Sequence, residues 1–223
     1  MSELSSIFLQ LGNGLKCTMA VFALTLIFSL PLGLLVAKGR MSKNFIIRSI
    51  VRFYISFMRG TPLMLQLLMV YFLPWYAFKI PLRDLAIGDL DYRFVATIIG
   101  FSINYAAYFA EIFRSGIQSM PKGQYEAAMV LGYSKAQTAF RIILPQVIKR
   151  VLPAMTNEII TLVKDTSLAQ ILAVAEMFMA AKTLASVQVS VTPFIVAGIF
   201  YYVVNGVIEI IMTRIEKKLS YYS

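Results

Sequence analysis

Histidine is absent from this 223-residue chain, and Cys17 is its only cysteine. One cysteine excludes a disulfide within the chain, and the lack of histidine excludes a metal site built from histidine and cysteine ligands. A nucleotide-binding loop of the G-x-x-x-x-G-K-[ST] type is also missing, as is the histidine that a Ser–His–Asp triad requires. The sequence therefore predicts no metal site, no cofactor held by this chain, no catalytic residues and no ATP hydrolysis by the chain itself.

Charged residues are scarce as well. They make up 14% of the chain, hydrophobic residues make up 59%, and the mean hydropathy is +0.74. Because a soluble domain usually carries about 25% charged residues, this composition predicts an all-α integral membrane protein. The net charge of +10 is compatible with nucleic-acid binding, but basic residues of membrane proteins concentrate in the cytoplasmic loops. We therefore expect no nucleic-acid partner.

Five segments meet the length requirement for a transmembrane helix, which is about 20 mostly apolar residues. The fourth is the least hydrophobic because it contains Glu158, Lys164 and Asp165. The apolar run of the first exceeds the roughly 7 to 15 residues of a signal peptide, so we expect this helix to be retained. We predict one transmembrane domain over residues 1–223, with spans at 17–37, 54–78, 94–113, from Pro153 onwards and 191–212.

The loop charges predict the orientation of these spans. The first connection, 38–52, carries five basic residues and no acid, and the third, 114–150, carries six basic residues and a single acid. In the second connection three acids match three bases, and in the fourth Glu176 offsets Lys182. Since cytoplasmic loops are enriched in lysine and arginine, the N-terminus is predicted outside and the C-terminus in the cytoplasm. The segment 119–145 is then cytoplasmic.

This cytoplasmic segment contains a short amphipathic helix, predicted over 123–140. Gly132 lies inside it, and because glycine costs about 1 kcal/mol in a helix interior, we expect a turn or a close approach there. A helix that rests on lipid and a helix that docks on protein both fit this pattern. The predicted apolar side consists of Ala127, Ala128, Leu131 and Ala139.

The spacing within the segment is more specific than its amphipathic character. The stretch EAAMVLG, from Glu126 to Gly132, is followed after nine residues by I-x-L-P. This pattern resembles the EAA motif of ABC importer permeases, in which a coupling helix docks into a groove of a cytoplasmic ATPase. The resemblance implies that Glu126 meets polar groups of the ATPase, that Ala127 and Ala128 permit close packing, and that Gly132 allows a turn between two short helices.

Three further stretches resemble the polar amino-acid branch of these permeases. They are RGTPL (59–63) with Gln66 in the second span, AYFAEIFRSGI (107–117) in the third, and KDTSL (164–168) in the fourth. The resemblance covers about residues 10–215. It implies the transmembrane subunit of an ATP-driven importer for polar amino acids in a prokaryotic cytoplasmic membrane.

The resemblance also implies partners. These are a cytoplasmic ABC ATPase dimer that binds ATP and magnesium, an extracellular or periplasmic substrate-binding protein, and the amino-acid substrate. Five spans cannot readily enclose a pathway alone, so we expect a second permease subunit, either identical or homologous.

Two acids of the fourth span are candidate substrate ligands. Charged groups at membrane depth are costly and usually face a cavity or a partner. Glu158 and Asp165 are seven residues apart, so a helix places them on one face about 10 Å apart, with Thr161 on the same stripe. Counted from Arg150, they lie about 12 and 22 Å deep, near the midplane where transporters bind substrate. Pairing with Lys164 or Arg59 for structural reasons is the alternative.

Other polar residues are weaker candidates for the same site. Asn104 and Tyr108, one turn apart in the third span, can hydrogen-bond a substrate or join helices to each other. Thr61 and Gln66 are candidates for lining the pathway. We expect Glu111 to be a helix-end or ion-pair residue near the cytoplasmic face.

Two intramembrane acids favour a cationic substrate such as arginine, lysine or histidine, while similar segments serve glutamine, cystine and other uncharged polar amino acids. A passive channel would not need the EAA motif. An intramembrane enzyme is disfavoured because 10 Å exceeds the roughly 5 to 9.5 Å that separates paired catalytic carboxylates.

Overall fold

The computed structural model describes residues 3–88 and 90–219, and helices account for most of them, with no strand in these ranges. The all-α fold predicted from composition is confirmed. The helices are α1 (Glu3–Arg40), α2 (Phe45–Gly60), α3 (Leu63–Phe78), α4 (Tyr92–Gln118), α5 (Lys122–Val130), α6 (Lys135–Gln137), α7 (Leu144–Asp165), α8 (Met177–Gln188) and α9 (Thr192–Leu219); a π-helix covers Thr138–Ile143, and 3-10 turns cover Leu82–Leu85 and Thr166–Leu172.

Three helices of the described chain, α1, α4 and α9, are each long and apolar enough to cross a membrane. Two more spans arise if each of two bent helix pairs is counted as one. The first pair is α2 with α3, bent by 114°, and the second joins 135–172 to α8, bent by 59°. The predicted number of five is the upper end of this range.

The second predicted span, 54–78, is wrong as a single helix. The chain leaves the helix at Thr61 and Pro62, which both have extended backbone conformations. A residue that precedes proline is disfavoured in the α conformation, and proline has no N–H to donate. Tyr54 therefore belongs to α2, and α3 begins only at Leu63, after the bend.

The fourth predicted span was also misplaced at its start. It was expected after Pro153, but α7 begins at Leu144 and carries Pro153 in its interior. Glu176, counted above as a loop charge, is buried. Its carboxylate accepts hydrogen bonds of 2.7 Å from the backbone N–H groups of Phe178 and Met179, and so it caps α8. Hydropathy does not predict the start of α7 at Leu144 or the burial of Glu176, because both depend on tertiary contacts and not on local composition.

Helix α4 is the centre of the main core. Phe101, Tyr105 and Phe109 are fully buried, and α4 packs against α1, α2, α3 and α7. Close approach depends on glycine: a Cβ at Gly33 of α1 would lie 2.9 Å from the Cβ of Phe109, and one at Gly116 would lie 2.2 Å from a methyl group of Val151 in α7. Small residues let membrane helices approach closely, so α7 lies directly against the end of α4.

The orientation in the membrane stays a prediction, and accessibility of engineered cysteines tests it. In a Cys17→Ala background, we expect Arg83→Cys to react with an impermeant thiol reagent added outside intact cells, and Lys135→Cys to react only after permeabilisation. Both side chains are exposed. Asp89, in the same loop as Arg83, lies outside the described residues. The reverse labelling pattern would contradict an outside N-terminus.

Candidate functional site

The predicted stripe of polar residues lies on one unbroken helix. Glu158, Thr161 and Asp165 all belong to α7, which continues to Asp165. Helix geometry therefore places the two carboxylates on one face about 10 Å apart. The seven-residue spacing predicted this arrangement correctly, because no break intervenes between the two acids.

This face of α7 is uncovered. Asn157, Thr161 and Lys164 are exposed, and Glu158 and Asp165 are half-buried. In the described part of the chain, no salt bridge within 4 Å joins either acid to Lys164 or to Arg59. If α7 crosses the membrane as predicted, this face requires a polar cavity or a partner chain, because polar groups are unfavourable against lipid.

Asp165 has a hydrogen-bond donor that the sequence analysis missed. The hydroxyl of Tyr105 donates to a carboxylate oxygen of Asp165 at 2.7 Å. Tyr105 is buried, and its ring packs near those of Phe101, Tyr108 and Phe109. The aromatic residues recur at helical spacing in α4, but nothing local in the sequence connects Tyr105 with a residue sixty positions further on.

Glu158 lies at a cleft of about 610 Å³ between α4 and α7. Arg59, from the end of α2, lines the same cleft, and its guanidinium lies 5.3 Å from the ring centroid of Tyr108. At that distance the cation is attracted by the face of the ring. The other charged residues of the cleft are Glu111, Arg114 and Arg150.

Glu111 is an ion-pair residue, as predicted. Its two carboxylate oxygens accept hydrogen bonds from Nε and Nη2 of Arg114, the shortest at 2.6 Å, and Nε of Arg40 in α1 lies 3.8 Å away. Planar two-point pairing of this kind is the strong form of such contacts. In the described chain the other charged cleft residues, Glu158, Arg59 and Arg150, have no salt bridge within 4 Å, and Arg150 donates a hydrogen bond to the backbone carbonyl of Ser119.

Thr61, Gln66 and Asn104 meet at the break between α2 and α3. The amide nitrogen of Gln66 donates to the hydroxyl of Thr61 at 2.7 Å and to the carbonyl of Met58 at 2.9 Å. The amide of Asn104 donates to the Gln66 side-chain oxygen at 2.9 Å. Since Gln66 and Asn104 are buried and bonded to each other, this network holds the bend, and these two residues are not among those that line the cleft.

The EAA stretch forms a helix, a turn and a second helix. Helix α5 contains Glu126, Ala127 and Ala128, of which only Ala128 is buried. Gly132 follows with a φ of +79°, a conformation that other residues adopt only with strain. Ser134 then caps α6 in a capping box with Gln137. The turn predicted at Gly132 is confirmed, and its cause is the backbone conformation, because no atom lies within 4 Å of a Cβ placed there.

The tip of this segment exposes an apolar surface, which we call the coupling tip. Leu131, predicted on the apolar side of the helix, is exposed; the helix ends at Val130 and the chain turns at Gly132. A cluster of exposed apolar residues marks an interaction site more often than a free surface. The coupling tip consists of Met129, Val130, Leu131 and Phe140.

Comparison with known sequences assigns the chain to a family. Residues 29–221 match the model of the binding-protein-dependent transport system inner membrane component family. The chain is 35% identical to the L-cystine transport system permease protein TcyB of Bacillus subtilis, over 95% of this chain and 87% of that protein. It is 34% identical to the arginine transport system permease protein ArtQ of the same organism, over 93% and 91% of the two chains.

A solved structure is similar over nearly the whole chain. A crystal structure of an amino acid ABC transporter with histidines superposes with a TM-score of 0.83 and 31% sequence identity, covering 98% of this chain and 99% of the other. The overall helical arrangement described above is therefore similar to that of a chain of an amino acid ABC transporter.

Proposed function

This chain belongs to the family of binding-protein-dependent transport system inner membrane components and is a permease of the amino-acid ABC transporter type, and we propose that it forms the translocation pathway of an ATP-driven importer for polar amino acids. In this proposal ATP is hydrolysed by a separate cytoplasmic ATPase that docks on the coupling tip. A substrate-binding protein delivers the amino acid from the outer side.

The observation that carries the proposal is the cleft with Glu158 on one side and Arg59 on the other. An amino acid carries a carboxylate and an ammonium group on the same carbon. Arg59 has the planar guanidinium that suits a carboxylate, and Glu158 accepts hydrogen bonds from an ammonium. Neither residue is held in a salt bridge within the described chain, so both remain available to a zwitterionic substrate.

Asp165 points to the class of amino acid. It lies about 10 Å from Glu158 along α7, roughly the reach of a long side chain that ends in a cation. We therefore propose arginine, lysine or histidine as the substrate, with Thr161 and Tyr108 beside the path. Glutamine and cystine are the alternatives, and the relative named for cystine shows that closely similar chains serve different amino acids.

A second permease subunit follows from the uncovered polar face of α7. Asn157, Thr161 and Lys164 are exposed on a helix at membrane depth, and lipid is a poor environment for them. We propose that the corresponding helix of an identical or homologous subunit faces this side, so that the two chains enclose the pathway. The substrate then passes between proteins and not along lipid.

A screen of the reconstituted complex tests the proposed function. The permease, its ATPase and its binding protein are placed in proteoliposomes, and ATP hydrolysis and uptake are measured with each of the twenty amino acids and cystine. We expect stimulation of both by cationic amino acids. Stimulation by glutamine or cystine alone would assign the alternative substrates, and no response to any of them would contradict an amino-acid importer.

A further inference from the structure

Helix α2 runs in a different direction from the helix that follows it, α3. Its continuation α3 runs alongside α4, since the hydroxyl of Tyr92 at the start of α4 donates to the carbonyl of Val70 and Leu67 packs on Gly100. Helix α2 is bent by 114° from α3. If α3 crosses the bilayer along its normal, a bend of 114° places α2 about 24° from the membrane plane.

The depth of α2 corresponds to a membrane boundary. It follows the basic end of α1, where Gly39 packs on Val51 of α2. It ends at Gly60, where α3 begins its crossing. Helix α3 has 16 residues, or about 24 Å of helix, so its first residues already lie near the edge of the roughly 30 Å hydrocarbon layer. By the orientation predicted from the loop charges, this boundary is the cytoplasmic one.

Helix α2 has three distinct faces around its axis. One is packed against the protein and contains the buried Ile55 and the half-buried Val51 and Met58. A second is apolar and uncovered. At 100° per residue, its members lie within about 60° of one another; they are Ile46, Ile50, Phe53 and Phe57, all exposed.

The third face is a row of arginines. Arg48, Arg52 and Arg59 fall within about 40° of one another on the helical projection, on the side away from the apolar residues. Arg59 lines the cleft, and Arg48 makes a 3.4 Å contact with the carbonyl of Ser42 and a cation–π contact with Phe45. In the described chain neither Arg48 nor Arg52 has an acidic partner within 4 Å.

We propose that α2 is an interfacial helix whose arginines Arg48 and Arg52 bind the phosphate groups of anionic phospholipids in the cytoplasmic leaflet. The exposed isoleucine and phenylalanine side chains enter the acyl region below these phosphates. A helix with a cationic and an apolar face lies in the boundary in this way. Anionic headgroups supply the charge that the two arginines lack within the chain, and guanidinium groups suit phosphate geometry.

Lipid binding at this helix bears on transport. The loop Thr61–Pro62 joins α2 directly to α3, and Arg59, which lines the cleft, lies at the end of the same helix. Anchoring α2 at the headgroups therefore fixes the height of Arg59 relative to α4 and α7. The phospholipids bound at α2 thereby influence where Arg59 lies in the cleft.

Quenching by brominated lipids tests the proposal on the assembled complex. Phe53 lies on the apolar face and is exposed, so Phe53→Cys in a Cys17→Ala background carries a bimane label, and the partner subunits are cysteine-free. The complex is reconstituted with brominated phosphatidylglycerol or brominated phosphatidylcholine in an otherwise unlabelled phosphatidylcholine bilayer. Binding strength relative to bulk lipid is read from the quenching curve for each lipid.

We expect preference for the brominated anionic lipid. A basic residue near an anionic surface contributes about 1 kcal/mol, which is about fivefold in affinity, so two arginines give roughly five- to twentyfivefold. Arg48→Gln with Arg52→Gln should lower this preference by at least about fivefold, and Arg48→Lys with Arg52→Lys should retain it. The matched control, Arg214→Gln with Lys218→Gln, removes two charges from the cytoplasmic end of α9 and should leave it unchanged.

Three results would overturn the proposal. If both brominated lipids quench the label equally in the parent complex, α2 has no site that prefers anionic lipid. An equal loss in the α2 and α9 variants means that general surface charge, and not this helix, attracts the lipid. Absence of quenching by either lipid means that a partner chain covers the apolar face. None of these readings depends on transport, so a failure of the proposed substrate would leave the result interpretable.

Discussion

Replacing Val130 with aspartate will weaken binding of the cytoplasmic ATPase while the permease remains in the membrane. Val130 is 87% exposed at the end of α5, in the middle of the coupling tip. If this surface enters a groove of the ATPase, the aspartate loses apolar contact and is buried without a partner. A hot-spot residue near the centre of an interface contributes at least about 2 kcal/mol; if Val130 is such a residue, the affinity should fall roughly 30-fold or more. Titration of purified permease with the ATPase measures this.

The matched control is Val187→Asp. It makes the same substitution at a valine that is 77% exposed, but in α8, which the predicted topology places towards the outer side. ATPase affinity should stay at the parent value in this variant. Retained affinity in both variants would mean that the coupling tip is not the docking surface. Equal loss in both would mean that the added charge acts through the fold and not locally.

A second pair of variants separates the shape of the coupling tip from its chemistry. Gly132→Ala places a side chain at a φ of +79°, which costs about 1 to 2 kcal/mol for an L-residue and shifts the turn. Gly123→Ala adds the same methyl group inside α5, where no atom lies within 4 Å. We expect substrate-stimulated ATP hydrolysis to fall in the first variant only. Glu126→Lys, which reverses an exposed charge next to the tip, should also reduce it; normal hydrolysis in both Gly132→Ala and Glu126→Lys would argue against coupling here.

Neutralising Glu158 or Asp165 of α7 will weaken substrate binding while the transporter complex remains assembled. Asp165→Asn and Glu158→Gln are nearly isosteric, and each removes a charge-assisted hydrogen bond to a substrate ammonium. Such a bond is worth about 1.5 to 3 kcal/mol, so affinity should fall roughly 10- to 150-fold. The amide oxygen of an asparagine at position 165 still accepts the hydrogen bond from Tyr105, so the helix contact survives. Substrate affinity and apo melting temperature are measured on the same preparations.

Two contrasting variants define the alternative outcome. Tyr105→Phe removes the donor to Asp165 but leaves its charge, and Glu111→Gln neutralises an acid of the cleft that is already paired with Arg114. We expect both to lower the apo melting temperature more than the substrate affinity. If Asp165→Asn and Glu158→Gln behave like these two, with unchanged affinity and a lower melting temperature, the acids belong to the scaffold and other residues must bind the substrate.

The prediction of the fold succeeded where the signal was local. Apolar runs located the long helices α1, α4 and α9, and the stretch from Glu126 to Gly132 predicted the turn that the structure contains. It failed at Thr61–Pro62, where an apolar run of 25 residues was taken as one helix. The extended conformation before proline was visible in the sequence, but the angle of 114° was not, because buried hydrogen bonds from Gln66 and Asn104 stabilise it.

For the candidate site, too, local spacing was predictable from the sequence and contacts between remote residues were not. The sequence by itself determined that Glu158 and Asp165 share a face of one helix, since helical periodicity relates residues seven positions apart. Only the tertiary structure decided that Tyr105 bonds Asp165, that Arg59 faces the cleft of Glu158, and that Glu176 is buried. These contacts join residues that are remote in the chain, and their distances follow from how closely helices pack. That packing depends on interlocking side chains from several helices at once, such as Phe109 against Gly33, and no local stretch of sequence specifies it.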